Sequence, residues 1–430
     1  LKKIDNVQYG GEMSQINSNI HKGEKLAIEG GNPVRLKSIA PLVEIGPECK
    51  KRIIDLLESG ALSNWYGGTI NHEFEQAYAD YYGVPYGVAV NSGTSALHVA
   101  YAAAEIGPGD EVIIPSVGYV SAASAVIQEG GFPVICDVEP QTLGMSPEDL
   151  EKRITPRTKL IVLVHMWGIP NDIDSVLAVA RRHGIPIIED CGQAHGAKYR
   201  GQLVGTFGEM ATFSFAPRKH VSTGQGGMVI FRDVKQAKKA RSAANKGKGH
   251  GWHDYYRIGY SYVMGDMEAI VGIEGLKNLE AEVEKRRSAA RIYETILAES
   301  GLEMQPIPED RYACYFKYPF RLPVDFLQYK EFMISALLAE NISTRASHPP
   351  MHTIPWLADY IQKHGESNPN GTLSRPIAER EVTRIVEVET GPAMTEKDVY
   401  TSSEGVLKVW NRIKVLHAQG IIPDIRYENL

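Results

Sequence analysis

Cysteine is scarce in this sequence: Cys49, Cys136, Cys191 and Cys314 stand far apart, with no C-x-x-C spacing. That pattern excludes a disulfide framework and a cysteine zinc site, and it fits a reducing cytoplasm. A strong charge of one sign is missing too. Lys+Arg 46 against Asp+Glu 52 leaves a formal net charge of -6, which provides no basic field to displace counterions from nucleic acid. Nor is there a run approaching the roughly 20 consecutive apolar residues that span a bilayer. The opening LKKIDNVQYGGEMSQINSNIHKGEK lacks the apolar centre of a signal peptide. Nucleic acid and membrane are therefore not expected as partners, and residues 1–25 are expected to be a flexible segment. Internal repeats and low-complexity tracts are absent as well.

What is present is a chain of 430 residues, 43% hydrophobic, long enough for a large core and a second, smaller unit. From about residue 86, short β-branched runs alternate with helical patterns: YGVAVN, DEVIIP, FPVICDV, TKLIVLVHMWG and IPIIED, with helices between them. Strands joined by crossover helices make a parallel sheet. The expected fold is α/β, a large domain over residues 26–265 with a mostly parallel sheet between helices. A linking helix is expected over 266–300, then a smaller α+β C-terminal domain over 301–430.

Ligands of open α/β sheets sit at the carboxyl ends of the strands, which directs attention to four such ends. In NSGTSAL, Gly93, Thr94 and Ser95 lie between a strand and a helix, where free N–H groups, two hydroxyls and the helix dipole suit a phosphate. An ordinary N-cap by Thr94 or Ser95 explains the same residues. Tyr119 follows the next strand and either stacks on a planar ligand or packs half-buried on a helix. Asp190 ends the most apolar strand, ahead of Gln193 and His195. A buried carboxylate there calls for a cation or a protonated ring nitrogen, or else caps a helix. In SFAPRKHVSTGQGGMV, Ser214 precedes Lys219; a lysine there is either a solvated loop residue or, held in a partly apolar pocket, deprotonated enough to form an imine.

A phosphate cradle, an aromatic stacker, a buried acid and an imine-forming lysine are together what pyridoxal phosphate requires. The same stretches, SGTSAL, DEVIIPSVGYV, ITPRTKLIVLVHMWGIPNDID, IEDCGQAHGAKYRGQLVGTFG and FSFAPRKHVSTGQGGMV, resemble the DegT/StrS-type sugar aminotransferases in order and spacing. These belong to the fold type I, aspartate-aminotransferase-like pyridoxal-phosphate enzymes. The resemblance implies Lys219 as the cofactor's imine partner and proton shuttle, Asp190 at the pyridine nitrogen and Gln193 at the ring hydroxyl. It places Tyr119 against a ring face, gives the phosphate to Gly93, Thr94, Ser95 and Ser214, and leaves His195 a supporting role. It also implies a homodimer with a shared active site. Family members carry an Asn-x-Arg pair before the linking helix that reaches the partner's cofactor. Here Ser261 and Val263 stand in those places; a serine donates one hydrogen bond, whereas valine replaces no guanidinium.

The function this implies is amino transfer from L-glutamate or L-glutamine to a nucleotide-linked keto-sugar or a keto-cyclitol, in antibiotic or surface-sugar biosynthesis. Two alternatives compete. One is a pyridoxamine-dependent sugar dehydratase, which has histidine in place of the lysine; the other is a cofactor-binding regulator without catalysis. Trp65 and Tyr66 either line the pocket mouth or pack against the small domain, and His352, with His348, is a candidate for the substrate side. Without a third ligand pattern the two histidines suggest no metal. The run KGKGHGWHDYYR is either a grip for an acidic sugar nucleotide or a solvated loop.

Overall fold

Seven β-branched and apolar runs do form one sheet in the computed structural model, which describes residues 25–39, 45–62, 69–249, 253–364 and 374–424. Its strands are β1 (Tyr86–Val90), β2 (Glu111–Pro115), β3 (Phe132–Cys136), β4 (Thr158–Val164), β5 (Ile187–Asp190), β6 (Met210–Ser214) and β7 (Gly227–Phe231). Their spatial order is β1-β7-β6-β5-β4-β2-β3. The pairs β2/β3, β2/β4, β4/β5 and β5/β6 are parallel, and β7 alone runs against its neighbours.

Side chains alternate across this sheet as the pleat requires. Ile113, Ile161, Leu163, Phe213, Met228 and Ile230 enter one hydrophobic core, while Val112, Ile114, Leu160, Val162, Met210 and Val229 enter the core on the other face. Burial on both faces is why these runs read as continuously apolar. Helix starts follow the cap chemistry of the sequence: Ser146, Asp172, Asp233 and Thr395 each accept a backbone N–H of the first turn with a side-chain oxygen.

A second, antiparallel sheet is built from β8 (Glu303–Met304), β9 (Tyr318–Arg321), β10 (Thr344–Ala346) and β11 (Ile385–Val388), in the order β8-β9-β11-β10. It packs under the helices Lys330–Ala339 and Glu396–Ala418 around Phe320, Leu337, Val386 and Trp410. The fold is thus α/β with a mostly parallel central sheet and a smaller C-terminal part.

Two boundaries differ from the sequence expectation. The linking segment is two helices, Asp266–Lys277 and Leu279–Leu297, interrupted at Asn278. The break lets the second helix put Leu279 and Val283 into the core beneath the large sheet and Tyr293 and Leu297 into the core of the small one. Residues 26–39, expected to open the large unit, pack on the small one. Leu26 is fully buried there, and the Ala27 and Val34 amides donate to the Glu340 carboxylate, which also pairs with Lys408. No described helix is long and apolar enough to cross a membrane.

Candidate active site

The carboxyl ends of β1, β4, β5 and β6 open into one cavity of about 450 Å³. The amino end of antiparallel β7 packs against Ser92 beside it. A Cβ on Gly227 would stand 2.3 Å from Ser92 O, and one on Gly93 would stand 2.6 Å from Ser214 Cβ. Only glycine lets the three chain segments meet there.

The helix Gly93–Ala103 points its first turn at this cavity. Its N-cap is Ser92, not Thr94 or Ser95. Ser92 Oγ accepts the Ser95 N–H at 3.0 Å, and Ser92 O accepts the Ala96 N–H. Ser95 Oγ donates to Asn91 Oδ1 at 2.7 Å and does not line the cavity. The amides of Gly93 and Thr94 are left without a partner among the described residues, at the positive end of the helix dipole and close to Ser214 Oγ. An anion fits there.

Asp190 ends β5 inside the cavity and accepts the Gly192 N–H at 2.9 Å. Burial raises its carboxyl above the ordinary range, against the Gly192 bond and the charges of Lys219 and His165. Beneath it, Glu189 is fully buried. Its two oxygens accept from the Gly205, Phe207 and Gly208 amides and from His165 Nε2. His165 Nδ1 accepts the Asn171 N–H, which fixes the tautomer. His165, Glu189 and Cys191 form the cluster with metal-ligand geometry among the described residues, yet Glu189's oxygens are already filled. The sequence reading missed this support: Glu189 stands beside Asp190 in IIED, but an acid on a buried face shows its four donors only after folding.

Lys219 lies in the loop after β6. Burial lowers its amine to about 7; Asp190 opposes the shift, and Arg345, Arg286 and Lys317 add to it. Its Nζ stands 4.1 Å from the centroid of the Phe316 ring. The loop is held from both sides: Arg218 takes a left-handed φ of 73°, and its carbonyl accepts from Arg286 Nη2 at 2.9 Å. His220 turns away, bonding Cys314 O, and does not line the cavity.

Gln193 Oε1 accepts the Trp167 N–H at 2.9 Å, which leaves its NH₂ as a donor in the cavity. Tyr119, 49% exposed, lies at the mouth, with its ring edge-on to His348 at 5.2 Å between centroids. The Met351 amide bonds Ser116 O and so ties the His348 loop to the end of β2.

Other expected site residues lie elsewhere. His195 is 0% exposed, behind β6, with Nε2 on Ser214 O and Nδ1 accepting from Tyr78 OH. Burial pushes it down to about 3, so it is a neutral prop for the Ser214 backbone and not a substrate contact. His352 is buried against Glu379, and His348 occupies the cavity wall in its place. Ser261 bridges Asn245, and Val263 bridges Val90, both away from this cavity. In the basic loop, the Arg257 guanidinium is spent on the Ala102 and Lys239 carbonyls. Trp65 and Tyr66 lie outside the described residues. Arg345, not singled out from sequence, does line the cavity.

The set fits pyridoxal phosphate on the geometry itself. Two unpaired amides at a helix start suit the phosphate, and the half-buried Asp190, which has no ion pair within 4 Å among the described residues, suits the protonated ring nitrogen. An amine that loses its proton near neutrality suits the aldehyde. Comparison with known proteins agrees. Residues 43–406 match the model of the DegT/DnrJ/EryC1/StrS aminotransferase family. The L-glutamine:2-deoxy-scyllo-inosose aminotransferase of Streptomyces fradiae is 36% identical over 319 residues, covering 70% of this chain and 75% of that protein. The GDP-perosamine synthase of Caulobacter vibrioides is 38% identical over 286 residues, covering 66% of this chain and 77% of that protein. The crystal structure of S. venezuelae DesV in complex with ketimine intermediate matches with a TM-score of 0.76 at 32% identity, over 85% of this chain and 95% of that one. The chain belongs to the DegT/DnrJ/EryC1/StrS family and is a pyridoxal-phosphate-dependent aminotransferase.

Proposed function

We propose that this enzyme moves an amino group from L-glutamine or L-glutamate to a ketone carbon of a cyclitol or a nucleotide-linked sugar. The observation that carries the reading is Lys219 and Asp190 lining one cavity together with Tyr119, His348 and Arg345. The relatives, whose names give a cyclitol ketone and a nucleotide sugar, support the acceptor class.

Pyridoxal phosphate, when bound, supplies an electron sink for the carbon that loses its proton. Gly93, Thr94 and Ser214 would hold its phosphate, Asp190 its ring nitrogen, Gln193 its ring oxygen, and Tyr119 one ring face. Lys219 Nζ, which burial brings to about 7, would be the base that takes up and returns the proton there. The Phe316 ring lies 4.1 Å from that amine.

The dehydratase alternative needs a histidine where Lys219 stands. The nearest, His220, is buried against Cys314 O, with burial pushing it well below its ordinary range, which favours amino transfer. L-glutamine labelled with nitrogen-15 at the α-amine, incubated with 2-deoxy-scyllo-inosose or a nucleotide-linked keto-sugar, tests the proposal. Label in an aminated product supports it; dehydration without label would refute it.

A further inference from the structure

Arg286, on the linking helix Leu279–Leu297, has 0% of its side chain exposed and does not line the cavity. A guanidinium so deeply buried has to have its donors met. Nε donates to Glu282 Oε1 at 2.7 Å, one turn earlier on the same helix, Nη1 to Phe316 O at 3.2 Å and Nη2 to Arg218 O at 2.9 Å. The helix supplies the counterion itself, which leaves the fork of the guanidinium to two backbone carbonyls from different units of the fold.

Both carbonyls border the reactive amine: Arg218 precedes Lys219, and the Phe316 ring lies 4.1 Å from Lys219 Nζ. Residues 215–226 and 313–317 lie outside the described strands, so no ladder sets the distance between amine and ring. Two other bridges join these loops. His220 makes one bond to Cys314 O, from a ring that burial keeps neutral. The Arg218 and Lys317 side chains meet on Glu389, but Arg218 stands at 3.4 Å with 40% of its side chain exposed, an ion pair that solvent weakens. Of the three, Arg286 takes both backbone segments with one rigid, buried, charged group. Resting on the reading of Lys219 as the cofactor-binding amine, we propose that Arg286 is the positioning residue for that amine: by tying the carbonyls of Arg218 and Phe316 together, it fixes Lys219 Nζ against the Phe316 ring. Its charge also opposes protonation of the amine, as do Arg345 and Lys317, against the pull of Asp190.

Two variants test it. Arg286→Lys keeps the charge but carries all its donors on one atom and cannot span the two carbonyls as the fork does. The double variant Arg286→Gln with Glu282→Gln removes both charges together and leaves no carboxylate unpaired. The first readout is acetylation of Lys219 by acetic anhydride in cofactor-free protein across the neutral and alkaline range, located by mass spectrometry at a temperature where circular dichroism shows each protein folded. Both variants are expected to raise the midpoint of that reaction by about one pH unit, as water reaches the loosened amine. In the loaded enzyme both are expected to lose about 10²-fold in kcat, the scale of a small misplacement of a reacting group, with KM for the donor little moved. A parental midpoint and a parental kcat in both variants, or in the double variant if it alone folds, would overturn the proposal and leave Arg286 a structural group only. So would a rise confined to the double variant, which would assign the effect to the charge of Arg286 and not to the tie it makes. Should the parent take up no pyridoxal phosphate, the reading of Lys219 fails, and the acetylation midpoints of the cofactor-free proteins still decide the role of Arg286.

Discussion

Lys219 Nζ lies 4.1 Å from the centroid of the Phe316 ring, and the two residues come from different units of the fold: Lys219 from the loop after β6, Phe316 from just before β9. The ring is packed beside the amine, and burial is the main cause of its fall to about 7. Uptake of pyridoxal phosphate by cofactor-free protein should therefore rise with pH through about 7 and level off, instead of climbing toward the ordinary lysine value of 10.5. In Phe316→Ala, water relieves the desolvation and the midpoint should move up. Uptake rates measured from pH 6 to 10 would show the shift.

The same depression has a stability consequence. Between about 7 and 10.5 the unfolded chain holds a proton on Lys219 that the folded protein does not, so stability rises with pH across that window. Lys219→Met removes this dependence. Without cofactor, it should be more stable than the parent at pH 7, with the gap narrowing toward pH 10.5. Urea unfolding at several pH values checks it, and the same variant should lose about 10²–10⁴-fold or more in turnover.

Asp190 is a half-buried carboxyl at the cavity, without an ion pair among the described residues. Asp190→Asn keeps the shape and removes the charge that a protonated ring nitrogen needs. Losing one member of a buried pair costs about 3–5 kcal/mol, so cofactor affinity should drop by 10²-fold or more on that scale. Spectroscopic titration with pyridoxal phosphate measures it.

Glu189 gathers four donors from His165 and the 205–208 turn. Burial alone would raise its carboxyl, but His165 and the amides outweigh burial and hold it below the ordinary range. Its contribution to stability is present above the unfolded carboxylate pKa and is lost as pH falls through the lower folded value. Glu189→Ala should cost about 3–5 kcal/mol at pH 7 and less at acid pH, by denaturant titration.

Gly93→Ala would place a methyl group 2.6 Å from Ser214 Cβ. Overpacking of this kind costs about 1–3 kcal/mol. It should widen the cradle and weaken inorganic phosphate or cofactor binding more than it lowers the melting temperature.

The large sheet was legible because both of its faces are buried, which writes its strands as apolar runs closed by glycine, proline or acid. That Lys219, Asp190, Gln193 and Tyr119 line one cavity was legible for a related reason: polar residues at the ends of such runs stand out. Other features depended on partners distant in sequence. Ser92 captured the cap because it precedes the helix by one residue in extended backbone, a choice the run of small residues leaves open. His195 looked like a site residue until Tyr78, 117 positions away, closed over its ring. His348 and His352 share a loop, and the docking of Met351 on β2 decides which one faces the cavity. Arg345 was invisible because an arginine in a short edge strand carries no signal until Glu387 and the distant Trp167 fix it.

The central claim is that Lys219 and Asp190 form one cofactor-dependent amino-transfer site. The absorbance spectrum of the purified protein, recorded before and after L-glutamine and separately L-glutamate, tests it most directly. The account predicts a band in the visible or near-ultraviolet from the Lys219-bound cofactor, bleached by at least one donor and absent in Lys219→Met. A protein that shows no such band after incubation with pyridoxal phosphate, or a band unchanged in Lys219→Met, would contradict it.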